Sequence, residues 1–185
     1  MTTATLPRLE QRPSPNQSPR LNGLVPYLVV VHRPVGSYAG ATATFLDARS
    51  QVSAHVLTNG ASEARQFVAW NKKAWSCVSF NSASYNLEVD DAAWTPAGLA
   101  AFNTAARIVA FLCHKTGIPP TWTIKPAHEP GVCRHYDLGI AGGGHTDPTT
   151  DAQLWRQFMA RVVAEFNRGG FRPAWGIGTL ARIDT

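Results

Sequence analysis

The chain is predicted to be an α/β protein, with a mixed central β-sheet flanked by helices. Three observations predict this. Tyr27-Leu28-Val29-Val30-Val31 is an unbroken apolar run, whose length and branched side chains suit a strand covered on both faces. Ser84 to Val89 alternates polar with apolar residues, the period of a strand. Two later segments carry apolar residues at helical spacing: Leu99, Phe102, Ala106, Val109 and Cys113, then Leu154, Phe158, Val162 and Phe166.

In chain order, residues 1–22 read as an extended arm, because Pro7, Pro13, Pro15 and Pro19 forbid regular helix. Leu24 to His32 is the central strand, and Arg33-Pro34-Val35-Gly36 must turn the chain. Thr42 to Arg49 fits a short helix. Ser53 to Leu57 and Ala64 to Trp70 read as strands around an Asn59-Gly60 turn. Asn71 to Ser82 reads as loop before the strand Ser84 to Val89. Thr95-Pro96 starts a helix that Gly117 and Pro119-Pro120 end. Trp122 to Lys125 is a candidate short strand. A long loop follows, and Thr150 or Asp151 caps a last helix running to about Asn167. Residues 23–168 thus form one domain, and residues 169–185 a tail that folds back or begins a linker.

A chain of 185 residues is long enough to bury a core of its own. The formal net charge of +5 points to an anionic partner such as nucleic acid, a membrane surface or a cell-wall polymer. Lys and Arg are scattered, with no run longer than Lys72-Lys73, which argues against nucleic acid. No apolar run approaches the roughly 20 residues of a membrane span. Met1 to Arg20 has no apolar core of signal-peptide length. The 3 cysteines form no CxxC pair, so neither a disulfide framework nor a cysteine-rich zinc knuckle is expected.

Chemistry concentrates between Gly131 and Pro148, where His135, Asp137, His145 and Asp147 flank Gly142-Gly143-Gly144. Hydrolytic zinc sites use three His or carboxylate ligands and leave a fourth position for water. His135 and Asp147 can curl onto one metal, and His32, at the end of a buried strand, is the best third ligand. His128 is the rival histidine. Cys133 lies close by, but thiolate chemistry would need a base beside it.

At these residues the chain resembles the type 2 family of zinc-dependent N-acetylmuramoyl-L-alanine amidases, which share a fold with peptidoglycan-recognition proteins and include phage endolysins. The resemblance rests on Val29-Val30-Val31-His32, Ser53-Ala54-His55 and Ala74-Trp75. It continues through Asn81, Ser84 and Glu88, then Gly131, His135 and Asp137, and Thr146-Asp147-Pro148. Ser14-Pro15-Asn16-Gln17-Ser18 resembles the lead-in of phage members. It implies a peptidoglycan-recognition-protein-like fold and one Zn2+ per chain on His32, His135 and Asp147. It also implies Glu88 as acid/base; Asp137 reads as a support that orients a histidine or the loop, and Trp75, Asn81 and His55 are candidate substrate-binding residues.

Two departures stand out. His145 replaces a lysine that many relatives place before Thr-Asp-Pro, and is expected to take its part beside the developing oxyanion. Two extra residues lengthen the glycine run. The implied substrate is bacterial peptidoglycan, cut between N-acetylmuramic acid and L-alanine. The protein is expected to be a monomeric endolysin, made without a signal peptide in the host cytoplasm and acting on the wall after release. The alternatives are a non-catalytic peptidoglycan-binding module and a cytosolic muropeptide-recycling amidase.

Overall fold

A computed structural model describes residues 8–21, 24–60, 62–95 and 102–169. The described residues form eight strands and three α-helices, in the order β1 (Leu9–Gln11), β2 (Gln17–Pro19), β3 (Leu28–His32), α1 (Tyr38–Leu46), β4 (Val56–Thr58), β5 (Ala64–Gln66), β6 (Lys72–Ala74), β7 (Ser84–Val89), α2 (Phe102–Thr116), β8 (Gly131–Arg134) and α3 (Ala152–Asn167). Six strands form one sheet in the order β1-β5-β4-β7-β3-β8, and β2 pairs with β6. The sheet is parallel except for the β4–β5 hairpin. The mixed sheet flanked by helices is the predicted architecture.

All five residues of β3 are buried, as its apolar run requires. The pleat divides β3 and β7 between two layers. Val29, Val31, Tyr85, Leu87 and Val89 join α2 and α3 in the main core, with Phe102, Trp155 and Phe158. Leu28, Val30 and Cys133 face the other way, against Cys77, Phe80 and Leu138. That second face also carries α1, where Ala41 and Phe45 pack on Leu57 and Phe67. His32 and Glu88 follow the parity of this second face. Glycine Cα closeness matters at Gly131, where a Cβ would stand 2.6 Å from the Thr121 carbonyl oxygen, so only glycine admits this entry to β8.

Several expectations need correction. The described part of the expected extended arm, residues 8–21, contains two strands. β1 adds to the sheet beside β5, and β2 pairs antiparallel with β6. These three-residue strands are polar and held by backbone bonds, so they leave no period in the sequence. β6 lies in the stretch expected to be loop, and β8 opens the long loop before a 3-10 segment His135–Gly142. Trp122 makes one bridge to Val132 instead of a strand. The first helix begins earlier than Thr42, because Ser37 caps it by accepting from the Gly40 N–H. Asp151 caps α3, accepting from the Gln153 and Leu154 N–H groups. The expected start of α2 around Pro96 and Leu99, and the tail 171–185, lie outside the described residues. Among the described residues no helix is long and apolar enough to cross a membrane.

Candidate metal centre and cleft

The parallel sheet brings the candidate residues to the carboxyl ends of adjacent strands, where open α/β sheets form their crevices. His32 ends β3, and His135 follows directly on β8, the neighbour of β3. Asp147 returns to them because the Tyr136 N–H donates to its carbonyl at 2.8 Å. The Arg33 N–H donates to its carboxylate at 3.2 Å.

Two ring nitrogens and the two oxygens of one carboxylate converge here. His32 Nδ1 lies 3.0 Å from His135 Nδ1. His135 Nδ1 is 3.1 Å from Asp147 Oδ1, and His32 Nδ1 is 3.6 Å from Asp147 Oδ2. Ligands set tetrahedrally at about 2.0–2.2 Å from one ion stand about 3.3–3.6 Å apart, so the spacing fits a metal after small adjustment. The hydrogen-bond chemistry fits as well. His32 Nε2 is 2.9 Å from Asn86 Oδ1, and His135 Nε2 is 2.8 Å from the Gly142 carbonyl oxygen. Both oxygens accept, so each ring carries its proton on Nε2 and turns an unprotonated Nδ1 inward. Two lone pairs and a carboxylate then face one point, an arrangement that a cation relieves, be it a metal ion or a further proton on one ring.

The electrostatics agree. Burial, then the charge of His135, push the His32 pKa down from 6.5 to about 4, so the ring is neutral and free to ligate. Burial opposes the Asp147 carboxylate, but the two facing histidines and the Arg33 N–H outweigh it and hold the group at about 2. Among the described residues, His32, His135 and Asp147 are the group able to hold a metal ion. His128 is exposed and outside that group.

The centre opens into a cleft of ≈ 630 Å³ whose walls include Phe45, Val52, Trp75, Glu88 and His145. Glu88 is the register partner of His32. Its side chain is buried, and Oε2 has no hydrogen-bond partner within the protein. Burial first, and the Asp147 charge second, raise its pKa from 4.5 to about 8. A buried carboxyl displaced in this way, aimed into a cleft, is a general acid/base candidate. His145 stacks on His135, with ring centroids 4.4 Å apart and planes at 20°. Its Nδ1 is 3.8 Å from Asp147 Oδ1, while most of the ring stays exposed.

The remaining candidates separate. Trp75 lines the cleft and donates from Nε1 to Ser18 Oγ at 3.0 Å. His55 and Asn81 are not in the lining. His55 is fully buried, accepting the Asn86 N–H on Nδ1 and donating from Nε2 to the Lys72 carbonyl. Asn81 Oδ1 accepts the N–H groups of Ser76 and Cys77. Both side chains are thus engaged with the scaffold beside the cleft. Asp137 supports the loop, not a histidine: it accepts from Arg134 at 2.7 Å and from Trp122 Nε1 at 3.0 Å. Burial pushes the Cys133 thiol well above its usual range, which disarms it as a nucleophile. Sequence reasoning missed the role of Asn86. The available signal was a polar residue at the middle even position of a wholly buried strand, SYNLEV.

Comparison with solved structures places the fold. The hydrolase AmiA of Staphylococcus aureus, solved with its ligand, matches with a TM-score of 0.72 at 17% identity, over 92% of this chain and 89% of that one. A mutant endolysin from Bacillus subtilis matches with a TM-score of 0.63 at 18% identity, over 85% and 99%. AmpD of Citrobacter freundii matches with a TM-score of 0.54 at 22% identity, over 84% and 91%. The curated proteins contain no match to the chain. The model of the Amidase_2 family, described as N-acetylmuramoyl-L-alanine amidase, matches residues 22–150, a span that holds His32, Glu88, His135 and Asp147. The chain belongs to the N-acetylmuramoyl-L-alanine amidase family.

Proposed function

We propose that the chain is a zinc-dependent amidase that hydrolyses the bond between N-acetylmuramic acid and the L-alanine of the peptidoglycan stem, and that it serves as an endolysin. The observation that carries the reading is the convergence of three donor atoms beside a buried, unpartnered Glu88 carboxyl at the head of one cleft.

His32, His135 and Asp147 hold the ion. Bound zinc supplies a positive charge that brings the pKa of water towards about 7 and polarises a carbonyl. Glu88 accepts a proton from the attacking water and delivers it to the nitrogen of the departing L-alanine. The water oxygen forms the new C–O bond as the C–N bond breaks, so a lactyl carboxylate and a free amine result. His145, at the mouth of the centre, donates an N–H towards the oxygen that gains charge in the transition state. Trp75 gives the sugar or peptide a flat apolar wall.

The endolysin setting is supported by the likeness to a Bacillus subtilis endolysin and by a net charge of +5, which favours contact with anionic wall polymers. A purely binding module needs neither a complete set of three donors nor a buried carboxyl facing them, and both are present. The test is metal analysis of the purified chain. One zinc per chain is expected, lost in His32→Ala and His135→Ala and kept in His128→Ala. Retention of zinc by the first two variants would overturn the assignment.

A further inference from the structure

We propose that Asn86 is the positioning residue of the centre: through a directional relay from Phe80 and Ser84, it dictates that His32 offers Nδ1 inward. The inference deepens the metal reading above and rests on it.

β7 carries Ser84, Asn86 and Glu88 on one face, with exposures of 0%, 1% and 9%. Three polar side chains in a row are costly to bury unless each is satisfied. Glu88 faces the cleft. The other two form a chain whose direction is set at its far end. The carbonyl of Phe80 can only accept, and Ser84 Oγ lies 2.8 Å from it. The single hydroxyl proton of Ser84 therefore points to Phe80, which leaves Ser84 Oγ an acceptor towards its other neighbour. The nearest such neighbour is the Asn86 amide nitrogen, at 3.1 Å, with Asn86 Oδ1 and Cys77 Sγ each farther, at 3.4 Å. With the amide N–H pointing to Ser84, Oδ1 must point to His32 Nε2, at 2.9 Å. His32 Nε2 must then carry the ring proton, and Nδ1 is left with its lone pair facing His135 and Asp147.

Two further contacts brace the amide. Cys77 Sγ, fully buried, lies 3.2 Å from Asn86 Oδ1, and the Asn86 backbone N–H donates to His55 Nδ1 at 3.0 Å. The relay is thus built from protein groups alone, Phe80 before β7 and Ser84 and Asn86 within it. Partners of this kind orient ligating histidines, and losing one costs about 10–100-fold in metal affinity.

The test uses the full chain, free of metal and loaded with zinc. Long-range nitrogen–proton NMR of the metal-free chain at neutral pH reads the protonated ring nitrogen of His32. Wild type is expected to show the Nε2–H tautomer. Asn86→Leu, which removes the acceptor, is expected to give a mixture and to weaken the zinc Kd at least about tenfold by chelator competition. Asn86→Asp, which keeps an oxygen facing Nε2, is expected to retain Nε2–H and affinity within a few-fold of wild type. Ser84→Ala removes one hydroxyl and frees the amide to flip, so it is expected to give a smaller loss of both. An Nδ1–H tautomer in wild type overturns the proposal, as does a zinc Kd in both Asn86→Leu and Ser84→Ala equal to wild type. The wild-type spectrum decides even if Asn86→Leu fails to fold. Failure of wild type to bind zinc would instead sink the metal reading, and leaves the tautomer measurement standing.

Discussion

His32 and Glu88 are register partners across the parallel β3–β7 pair, and both side chains lie on the face of the sheet that α1 leaves open as a cleft. The metal donor and the carboxyl that would move the proton are therefore fixed to each other by ladder hydrogen bonds rather than by a loop. Elements of this kind hold reacting groups more tightly than loops do. Asp147 and His145 come from the loop side, so the centre joins a rigid wall to an adjustable one.

Glu88→Gln keeps the size of the side chain and removes its proton chemistry. Turnover is expected to fall by about 10²–10⁴, with zinc content unchanged, because Glu88 is outside the three-atom group. Loss of activity together with loss of zinc would show that the carboxyl serves the metal instead.

His145→Ala is expected to lower kcat by about 10²–10³, the magnitude of one lost oxyanion donor, while zinc binding persists. His145→Lys should recover part of that loss, since a fixed positive charge can stand in the same place. A steady-state comparison of the three chains checks both statements. Unchanged kcat in His145→Ala would restrict the ring to packing on His135.

The stability of the metal-free chain should pass through a maximum. His32 and His55 have folded pKa values of about 4 and about 3, below the 6.5 of an unfolded histidine. Below pH 6.5 the unfolded chain binds more protons, so stability falls as acid is added. Glu88 has a folded pKa of about 8 against 4.5. Its contribution is complete below pH 4.5 and is lost as pH rises through 8. Two histidines outweigh one carboxyl between 4.5 and 6.5, and the carboxyl acts alone above. Urea titrations should place the maximum near pH 6.5 and show the alkaline decline disappearing in Glu88→Gln. That decline is on the order of a few kcal/mol at 1.36 kcal/mol per pKa unit.

Arg20 ties the N-terminal segment to the rear of the centre. Its guanidinium donates to the carbonyls of Ser82 at 2.7 Å, Ser84 at 3.1 Å and Trp70 at 3.3 Å, and sits 5.0 Å from the Tyr85 ring centre. Arg20→Ala leaves several buried carbonyl oxygens without partners. A loss of about 3 kcal/mol is expected, read as a lower urea midpoint. A loss below about 0.5 kcal/mol would show that Arg20 does not anchor this segment.

How much of this was legible in the sequence follows from which forces leave a period. β3 and β7 could be read directly, because burial imposes a run of branched residues on one and alternation on the other. α2 and α3 were legible from their stripes. β1, β2 and β6 were not, because backbone pairing of polar three-residue segments imposes no side-chain pattern. His32, His135 and Asp147 could be nominated by residue type and spacing, but their meeting depends on β8 lying beside β3, and Gly131–Arg134 is too short to declare itself. His55 and Asn81 were nominated for the cleft, yet one is fully buried and the other binds the Ser76 and Cys77 N–H groups, since a polar residue in a motif looks the same whether it meets a ligand or a neighbouring backbone group. Asn86 was overlooked for the converse reason: its partner, His32, is 54 residues away.

The most direct measurement is the chemistry of the cut ends in digested peptidoglycan. Purified walls treated with the chain should gain free L-alanine amino groups and no new reducing sugar ends. The gain should stop with a chelator, return on adding zinc, and be absent with Asp147→Ala. New reducing ends, or amino-group release indifferent to chelation and to Asp147→Ala, would contradict the zinc amidase account.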